Sequence, residues 1–221
     1  MCGRYALYPD SAVLAGEFDL HLPQPLRPRY NLSPGAFHPV IRQPAGAARH
    51  LDVARWGLLP SWVKDPRALA QPINAKSETA ADKPMFRHAL RRARVLVPAS
   101  GWYEWRTEDG LKQPYFFARV DGQTLAFAGL LERWSGPDGE VQTYAILTTS
   151  ANALAAPIHA RMPVILAPAD YSQWLDPALT QTAPLQALLV PAPAGLLTCW
   201  PVSRRVNRPV EDDPSLLERL G

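Results

Sequence analysis

The sequence predicts an α+β fold: a single domain built on a curled, barrel-like, mainly antiparallel β-sheet with flanking short helices. Short β-prone runs follow one another through the middle of the chain, separated by tight-turn signals. Helical spacing of apolar residues is confined to short segments outside that middle part. The chain has 221 residues, 47% of them hydrophobic, and its 24 prolines are dispersed along it. We therefore expect residues 1–221 to form one domain.

The first part of the chain predicts a few short elements around proline-rich loops. A strand over 3–8 is followed by apolar residues at helical spacing between Pro9 and Leu20. A proline-rich loop and an irregular stretch from 57 to 78 carry no clear periodicity. The remaining predicted elements are a strand pair, 37–43 and 50–56, and a basic amphipathic helix over 83–92.

The middle of the chain predicts an antiparallel meander, because consecutive strands with short links pair with their neighbours. Turn signals at Asp109-Gly110 and Asp121-Gly122 separate these runs. The predicted strands are 94–98, 102–106, 114–120, 124–132 and 141–149. After them we expect short helices at 151–157, 168–176 and 184–190, strands at 163–167 and 196–202, and a last helix at 214–220.

Composition excludes several classes of protein. No run approaches the roughly 20 apolar residues that a membrane span needs, and no apolar segment follows the charged Arg4, so we expect a cytoplasmic protein without a membrane partner. The chain has two cysteines, far apart in sequence, and no HExxH or CxxC spacing. We therefore expect neither a bound metal nor another cofactor. The net charge is +3, with 4 Lys among 23 basic residues. The guanidinium group of arginine is well suited to binding phosphate, but high-GC codon usage produces the same excess of arginine over lysine.

Cys2 is the first candidate for chemistry. An initiator Met before a small residue is normally trimmed, which would leave Cys2 with a free α-amine beside its thiol. The unperturbed pKa values are about 7.7–8.0 for the amine and about 8.5 for the thiol, so both nucleophiles are partly available near neutral pH. Such an aminothiol attacks acyl carbons or condenses with aldehydes. The alternative is that Cys2 only begins a buried strand.

Three further polar residues lie in stiff or apolar surroundings. Asn74 either serves a site or caps the segment after it. Glu104 shares a strand face with Trp102, where desolvation would raise its pKa, unless it lies on a solvated edge. His159 has the unperturbed pKa, about 6.5, that suits general acid–base work, or it is a hydrogen-bonded loop histidine.

Aromatic and basic residues alternate along the chain. We expect about half of the four tryptophans at 56, 62, 102 and 105 to be buried in the core. The others, interleaved with cations, would form a stacking surface for unpaired bases with phosphate contacts around it.

Six segments spread over nearly the whole chain form a recognisable set: Met1–Tyr5, Arg29–Pro34, Trp56–Trp62, Ile73–Thr79, Pro98–Trp105 and His159–Pro163. A closing Pro201-Val202-Ser203 with Val206-Asn207 accompanies them. Together they resemble the SRAP family, the SOS-response-associated peptidases, which are understood as abasic-site shielding proteins.

The resemblance implies a mature Cys2 that crosslinks, through a thiazolidine, to the ring-opened aldehyde of an abasic site in single-stranded DNA during the DNA damage response. By the family pattern Asn74 holds the adduct, Glu104 moves protons at the amine, and His159 protonates the departing sugar oxygen. The implied contacts to phosphates and flanking bases come from Arg4, Asn31, Trp62, Lys76, Trp105 and Arg161.

The resemblance leaves some points open. The family usually has Arg at the position of Lys76, so the bidentate fork of that phosphate contact is lost while the charge remains. The family name implies self-processing that exposes Cys2. The partner would be single-stranded DNA with abasic sites, on the nucleoid, and nothing in the sequence requires more than a monomer.

Two other functions compete. An N-terminal-nucleophile amidohydrolase or peptidase would use the Cys2 thiol against an amide. Class II glutamine amidotransferases also begin Met-Cys-Gly, but this chain lacks their arginine-containing substrate motif in its first third. A single-stranded-DNA binding module would use the aromatic residues and arginines alone, and Cys2 would then be dispensable.

Overall fold

The protein, described here as a computed structural model, is defined over residues 2–22, 24–137 and 139–221. Two β-sheets account for most of its regular structure, and short helices flank them. In these residues the strands are β1 Tyr5–Leu7, β2 Arg29–Leu32, β3 Phe37–Arg42, β4 His50–Trp56, β5 Asn74–Lys76, β6 Arg94–Ala99, β7 Gly101–Glu108, β8 Leu111–Arg119, β9 Leu125–Gly136, β10 Gly139–Ser150, β11 Arg161–Pro163 and β12 Leu197–Pro201. The α-helices are α1 Ser11–Phe18, α2 Arg87–Arg92, α3 Tyr171–Leu175 and α4 Thr182–Gln186. Single 3₁₀ turns occupy Pro168–Asp170, Ala194–Leu196, Arg204–Asn207 and Pro214–Leu217.

The first sheet has five strands in the order β12-β8-β7-β1-β2, all antiparallel. The hairpin between β7 and β8 turns at Asp109 and Gly110, which both have positive φ, 48° and 76°. That conformation is the one that an Asp-Gly pair in a two-residue hairpin turn adopts. The amino-terminal β1 therefore lies inside this sheet, between β2 and β7.

The second sheet has seven strands, and β10 lies at its centre. Its path runs β11-β10-β4-β3-β6-β9, and an additional β9–β10 pairing returns the sheet on itself. The curled sheet is thus partly ring-bonded without being a barrel. The predicted α+β class is confirmed, but the β-structure divides into two sheets where one was expected.

Several sequence-based boundaries need correction. Residues 153–158 form successive turns, so the helix predicted over 151–157 is absent. The predicted last helix is reduced to the single 3₁₀ turn Pro214–Leu217. The short strands β2 and β5 lie in segments predicted as irregular, and both β4 and β5 pair with β10 in parallel. Three- or four-residue strands carry too little periodicity to be recognised, and their pairing depends on partners distant in sequence.

The core lies between the sheets and is rich in aromatic residues. Trp56 and Trp102 are fully buried, Trp62 is 59% exposed and Trp105 is half-buried, which confirms the expected division of these four tryptophans. Trp102 stacks on Phe117 with ring centroids 4.6 Å apart. This packing fixes β7 against the core and so fixes the strand that carries Glu104.

Gly101, at the start of β7, gives a test of the β1–β7–β8 packing. A Cβ at this position would lie 2.2 Å from the carbonyl oxygen of Phe117 and 2.4 Å from the ring of Phe116. Because moving the Phe117 backbone away from an added Cβ is energetically costly, Gly101→Ala should lower the free energy of unfolding by about 2–3 kcal/mol. Gly16→Ala is the control, since Gly16 lies inside α1 with no atom within 4 Å. It should raise that free energy by about 0.5–1 kcal/mol. Urea denaturation measures both, and equal effects would contradict the packing argument.

Candidate active site around the amino-terminal cysteine

The backbone of β7 fixes where the amino terminus lies. Tyr5 pairs with Trp102, and the N–H of Tyr103 donates to the carbonyl of Arg4 at 2.9 Å. Continuing this antiparallel register brings the residues before Arg4 alongside Glu104 and the residue after it. Cys2 and Glu104, which are 102 positions apart in sequence, therefore meet because β1 and β7 are neighbours.

Asn74 approaches Cys2 from the other sheet. Its strand β5 pairs in parallel with β10, with Asn74 opposite Ile146. The Asn74 Nδ2 donates to the carbonyl of Cys2 at 2.8 Å. The Oδ1 is buried and accepts no hydrogen bond from the described residues. The alternative of a helix cap is excluded, because Asn74 lies in a strand and its amide holds the Cys2 backbone. A buried acceptor without a partner is uncommon in folded proteins, and it would suit a donor on a bound molecule.

Glu104 is a buried carboxyl at the edge of a cavity. Only 3% of the residue is exposed. The cavity has a volume of about 340 Å³ and is lined by Glu104, Trp105, Lys112, His159 and Asn207. Burial raises the pKa of Glu104 to about 7, although the positive charge of the chain's amino terminus opposes the shift. A carboxyl with this pKa exchanges protons readily near neutral pH.

His159 lies across the same cavity, in the loop before β11. The backbone N–H of Arg161 donates to its Nδ1 at 2.9 Å, which favours the neutral tautomer with the proton on Nε2. Partial burial lowers the pKa of His159, and the nearby positive charges of the amino terminus, Lys112 and Arg161 act in the same direction. His159 is therefore mainly neutral at pH 7, and its protonated form is a stronger acid than free imidazolium.

The Cys2 thiol is fully buried. Burial raises its pKa strongly, and the negative charge of Glu104 adds to the effect. Burial also raises the pKa values of Tyr5 and Tyr144, whose hydroxyl groups lie 2.9 Å apart in a hydrogen bond. The thiol of Cys2 is thus held neutral in this arrangement. A neutral thiol is a poor first nucleophile.

Arg161 and Lys76 lie on either side of β10. Thr148 pairs with Lys76 on one edge and with Pro163 on the other. The Arg161 guanidinium forms two hydrogen bonds to the Glu78 carboxylate, at 2.5 and 2.8 Å, and a third to the Thr148 carbonyl. This bridge joins the segment of Asn74 to the segment of His159. Lys76 is exposed and has no ion-pair partner among the described residues.

Asn31 and Arg4 connect the amino-terminal strands to the carboxy-terminal segment. Asn31 is 1% exposed, and its Nδ2 donates to the carbonyls of Val206, Arg208 and Glu211 at 3.3, 3.1 and 2.7 Å. Its Oδ1 accepts from Arg4 Nη1 at 2.8 Å. Asn31 therefore fastens the carboxy-terminal segment to β2, and its contact with DNA stays a prediction. Arg4 is half-buried and shares that network through the Val206 carbonyl.

Two residues of the cavity were not singled out by the sequence. Lys112 lies on β8, and Asn207 accepts a hydrogen bond from Trp105 Nε1 at 2.7 Å through its Oδ1. Lys112 follows the hairpin turn as an ordinary exposed lysine would, so no sequence signal marks it. Asn207 stood only within a closing motif.

Among the described residues no group of three His, Cys, Asp or Glu side chains is arranged to hold a metal ion. No helix in the described parts of the chain has the length and apolarity to span a membrane.

The buried Glu104 carboxyl gives a prediction about stability. Because its pKa in the folded protein, about 7, lies above the ordinary value of 4.5, the folded state binds a proton more tightly than the unfolded state. The stabilisation is complete below pH 4.5 and is lost as the pH rises through 7. Glu104→Gln should therefore become more stable than wild type by up to about 3 kcal/mol between pH 4.5 and 8, a shift of 1.36 kcal/mol per pKa unit. Urea denaturation across this range measures the difference, and a constant difference would contradict the burial of a titrating carboxyl.

Comparisons with known proteins identify the family of this chain. A sequence profile described as "SOS response associated peptidase (SRAP)" matches residues 1–209. The chain is 38% identical to the abasic site processing protein YoqW of Bacillus subtilis over 99% of both chains. It is 31% identical to the abasic site processing protein YedK of Escherichia coli, again over 99% of both. The abasic site processing protein HMCES of Gallus gallus is 33% identical over 86% of this chain and 66% of its own length.

Solved structures share the fold. A protein from Bacteroides thetaiotaomicron superposes with a TM-score of 0.89 at 26% identity, covering 99% of this chain and 100% of that one. A protein from Bordetella bronchiseptica gives a TM-score of 0.79 at 29% identity over 91% of this chain and 100% of its own. The profile match covers nearly the whole chain and contains the segments that carry Cys2, Asn74, Glu104 and His159, so this protein belongs to the SOS response associated peptidase (SRAP) family.

Proposed function

We propose that this protein processes abasic sites by forming a covalent crosslink between its mature Cys2 and the ring-opened aldehyde of an abasic site in single-stranded DNA. One observation carries the proposal: Asn74 holds the Cys2 backbone beside the cavity that Glu104 and His159 line. The names of the relatives as abasic site processing proteins support the substrate. The protein would act as a monomer on damaged chromosomal DNA.

The first step requires an open sugar. An abasic deoxyribose is mostly a closed hemiacetal, and its aldehyde appears when the bond between C1′ and the ring oxygen breaks. The protonated form of His159 would donate a proton to that departing oxygen from Nε2, while its Nδ1–H donates to the Arg161 carbonyl 3.1 Å away. The C1′ hydroxyl gives its proton to water in the same step and becomes the aldehyde oxygen, so the sugar gains one proton and loses one, and the imidazole is left neutral.

The amine reacts before the thiol. The α-amine of mature Cys2 adds to C1′, and loss of one water from the carbinolamine gives an imine. Glu104, with its pKa near 7, would take a proton from the attacking amine and return one to the departing hydroxyl. The free Oδ1 of Asn74 would accept a hydrogen bond from the hydroxyl or N–H of the intermediate.

The thiol then closes the ring. Its sulfur adds to the imine carbon while its proton passes to the nitrogen, giving a five-membered thiazolidine with a secondary amine. This order suits the buried neutral thiol, since an imine at bonding distance is attacked intramolecularly at high effective concentration. The same burial makes Cys2 a poor first nucleophile for an amide, so amide hydrolysis has less support.

The strand would approach over exposed aromatic and basic side chains. Trp62 is 59% exposed and suits stacking on an unpaired base. Trp105 lines the cavity beside Glu104 and His159, Lys76 is exposed at the end of β5, and Arg4 and Arg161 add positive charge. Arg161 is bound to Glu78, so a phosphate contact there would share or displace that carboxylate.

Cys2 provides the direct test. Wild type, incubated with a single-stranded oligonucleotide that carries one abasic site, should give a heat-stable shifted band on a denaturing gel. Cys2→Ser should give none, because serine cannot form the thiazolidine. An oligonucleotide without the lesion and one whose abasic aldehyde has been reduced to an alcohol are the controls. Absence of the band with wild type would overturn the crosslink, and glutamine or peptide hydrolysis that requires Cys2 would favour an amidohydrolase.

His159 should affect the rate and not the capacity to react. His159→Ala should slow crosslinking by about 10²-fold, the usual contribution of a positioned general acid, without abolishing it, because an aminothiol condenses with a free aldehyde unaided. Single-turnover gel assays from pH 5.5 to 8.5 measure the rates. His50→Ala is the matched control on the β3–β4 hairpin and should react like wild type. Equal rates for His159→Ala and wild type would remove His159 from the mechanism.

A further inference from the structure

From the arrangement of three arginines on α2, we propose that the surface formed by Arg87, Arg91 and Arg92 binds the phosphate backbone of the DNA strand beyond Trp62. This inference rests on the proposed function, since it extends the path of the same strand away from the abasic site. It assigns a role to a basic patch that the chemistry at Cys2 does not use.

The α2 arginines are unpaired. The helix packs Ala89 and Leu90 into the core, which leaves Arg87, Arg91 and Arg92 in solvent. None of the three guanidinium groups forms a hydrogen bond or ion pair with any described residue. Other arginines of this chain, such as Arg161 and Arg205, are bound to carboxylates. The α2 patch therefore presents three guanidinium groups whose donors are available to an anion.

This arrangement has a cost in the free protein. Arg87 and Arg91 are four residues apart on the helix, where like charges face each other and are destabilising. The helix dipole favours basic residues in the last turn, which accounts for part of the pattern. It does not account for Arg87 in the first turn. An anion bound across the patch would relieve the repulsion.

Two adjoining cavities connect this patch to Trp62. One cavity, of about 540 Å³, is lined by Ser61, Trp62, Pro84, Arg87, His88 and Glu132. The next, of about 630 Å³, is lined by Arg87, His88, Arg91, Arg92 and the polar segment 180–182 with its neighbour Ala183. Because Arg87 and His88 belong to both, the surface is continuous from the exposed indole to the arginines.

The path back to the candidate active site runs along β10. Asn74 pairs opposite Ile146, and the backbone N–H of Leu59 donates to the Thr143 hydroxyl at 2.9 Å. These two positions on β10 are about 10 Å apart, at 3.3 Å per residue. Thr143 also pairs with Glu132, whose carboxylate lies 3.2 Å from His88 Nδ1. The strand thus leads from Asn74, past the segment of Trp62, to α2.

The chemistry of this surface fits nucleic acid better than another polyanion. An exposed tryptophan beside guanidinium groups is the combination that single-strand binding surfaces use, with bases stacked and phosphates paired. The side chains of Thr180, Gln181 and Thr182 add the neutral donors that commonly contact phosphate oxygens. Glu132, the carboxylate of the first cavity, is already bound to His88 and 5% exposed, so it opposes the phosphates little.

The test compares two double variants with equal loss of charge. R91Q/R92Q removes two arginines of the patch, whereas R27Q/R219Q removes two exposed arginines outside α2, Arg27 in the loop before β2 and Arg219 beside the Trp200 ring of β12. Fluorescence anisotropy with lesion-free single-stranded oligonucleotides gives affinities as a function of salt. R91Q/R92Q should bind about 5- to 20-fold more weakly at low salt, and its salt slope should fall by about 1.4, at 0.7 per lost phosphate contact. R27Q/R219Q should change the slope little.

Strand length locates the contact. Oligonucleotides carrying an unreactive abasic analogue are extended on the 5′ side only or on the 3′ side only. Wild type should gain affinity from extension on one side, and R91Q/R92Q should lose that gain. Equal gains for the two proteins, or equal affinity losses for the two double variants, would overturn the proposal. Wild-type crosslinking is measured separately. If crosslinking fails while the length effect persists, the crosslinking proposal is overturned and the proposal for the α2 surface is supported.

Discussion

The backbone of β10 is the constraint on which the rest of the structure depends. This strand pairs with β9 and β11 in antiparallel and with β4 and β5 in parallel. Buried N–H and C=O groups must find partners, so each of these strands has a fixed register on β10. Asn74 and Arg161 are carried by two strands bound to β10 near Thr148, and this common support brings their loops to one place. Cys2 and Glu104 arrive from the other sheet through the β1–β7 pairing.

The candidate site is made of groups whose burial costs stability. Glu104 is nearly inaccessible with its pKa raised to about 7, and the buried Asn74 Oδ1 has no partner among the described residues. The folded protein would be more stable if either group were exposed to water or replaced by an apolar group. An environment that raises the pKa of the Glu104 carboxyl to about 7 suits it to transferring protons near neutral pH, which is typical of functional sites.

The arginines of this chain divide into two kinds. Arg94 is buried and donates to the carbonyls of Leu90, Trp174 and Asp176, so it serves as a backbone clamp between β6 and α3. Arg4 similarly joins β1 to the carboxy-terminal segment. The α2 arginines form no such contacts. The excess of arginine over lysine therefore has a structural component that composition alone could not separate from an affinity for phosphate.

The sequence by itself determined the fold class and most of the long strands, and it named the candidate residues of the site. Strong β-periodicity and the Asp-Gly turns are local signals, and Cys2 is marked by its position after the initiator. Local signals could not show the division into two sheets, the parallel pairing of β5 or the burial of Asn31, because each depends on partners more than 70 residues away. The hydrogen bond from Asn74 to Cys2, the raised pKa of Glu104 and the unpaired state of the α2 arginines were likewise decided by the tertiary structure. Burial and partner distance are properties of the folded chain, and they set the chemistry of side chains that the sequence can only name.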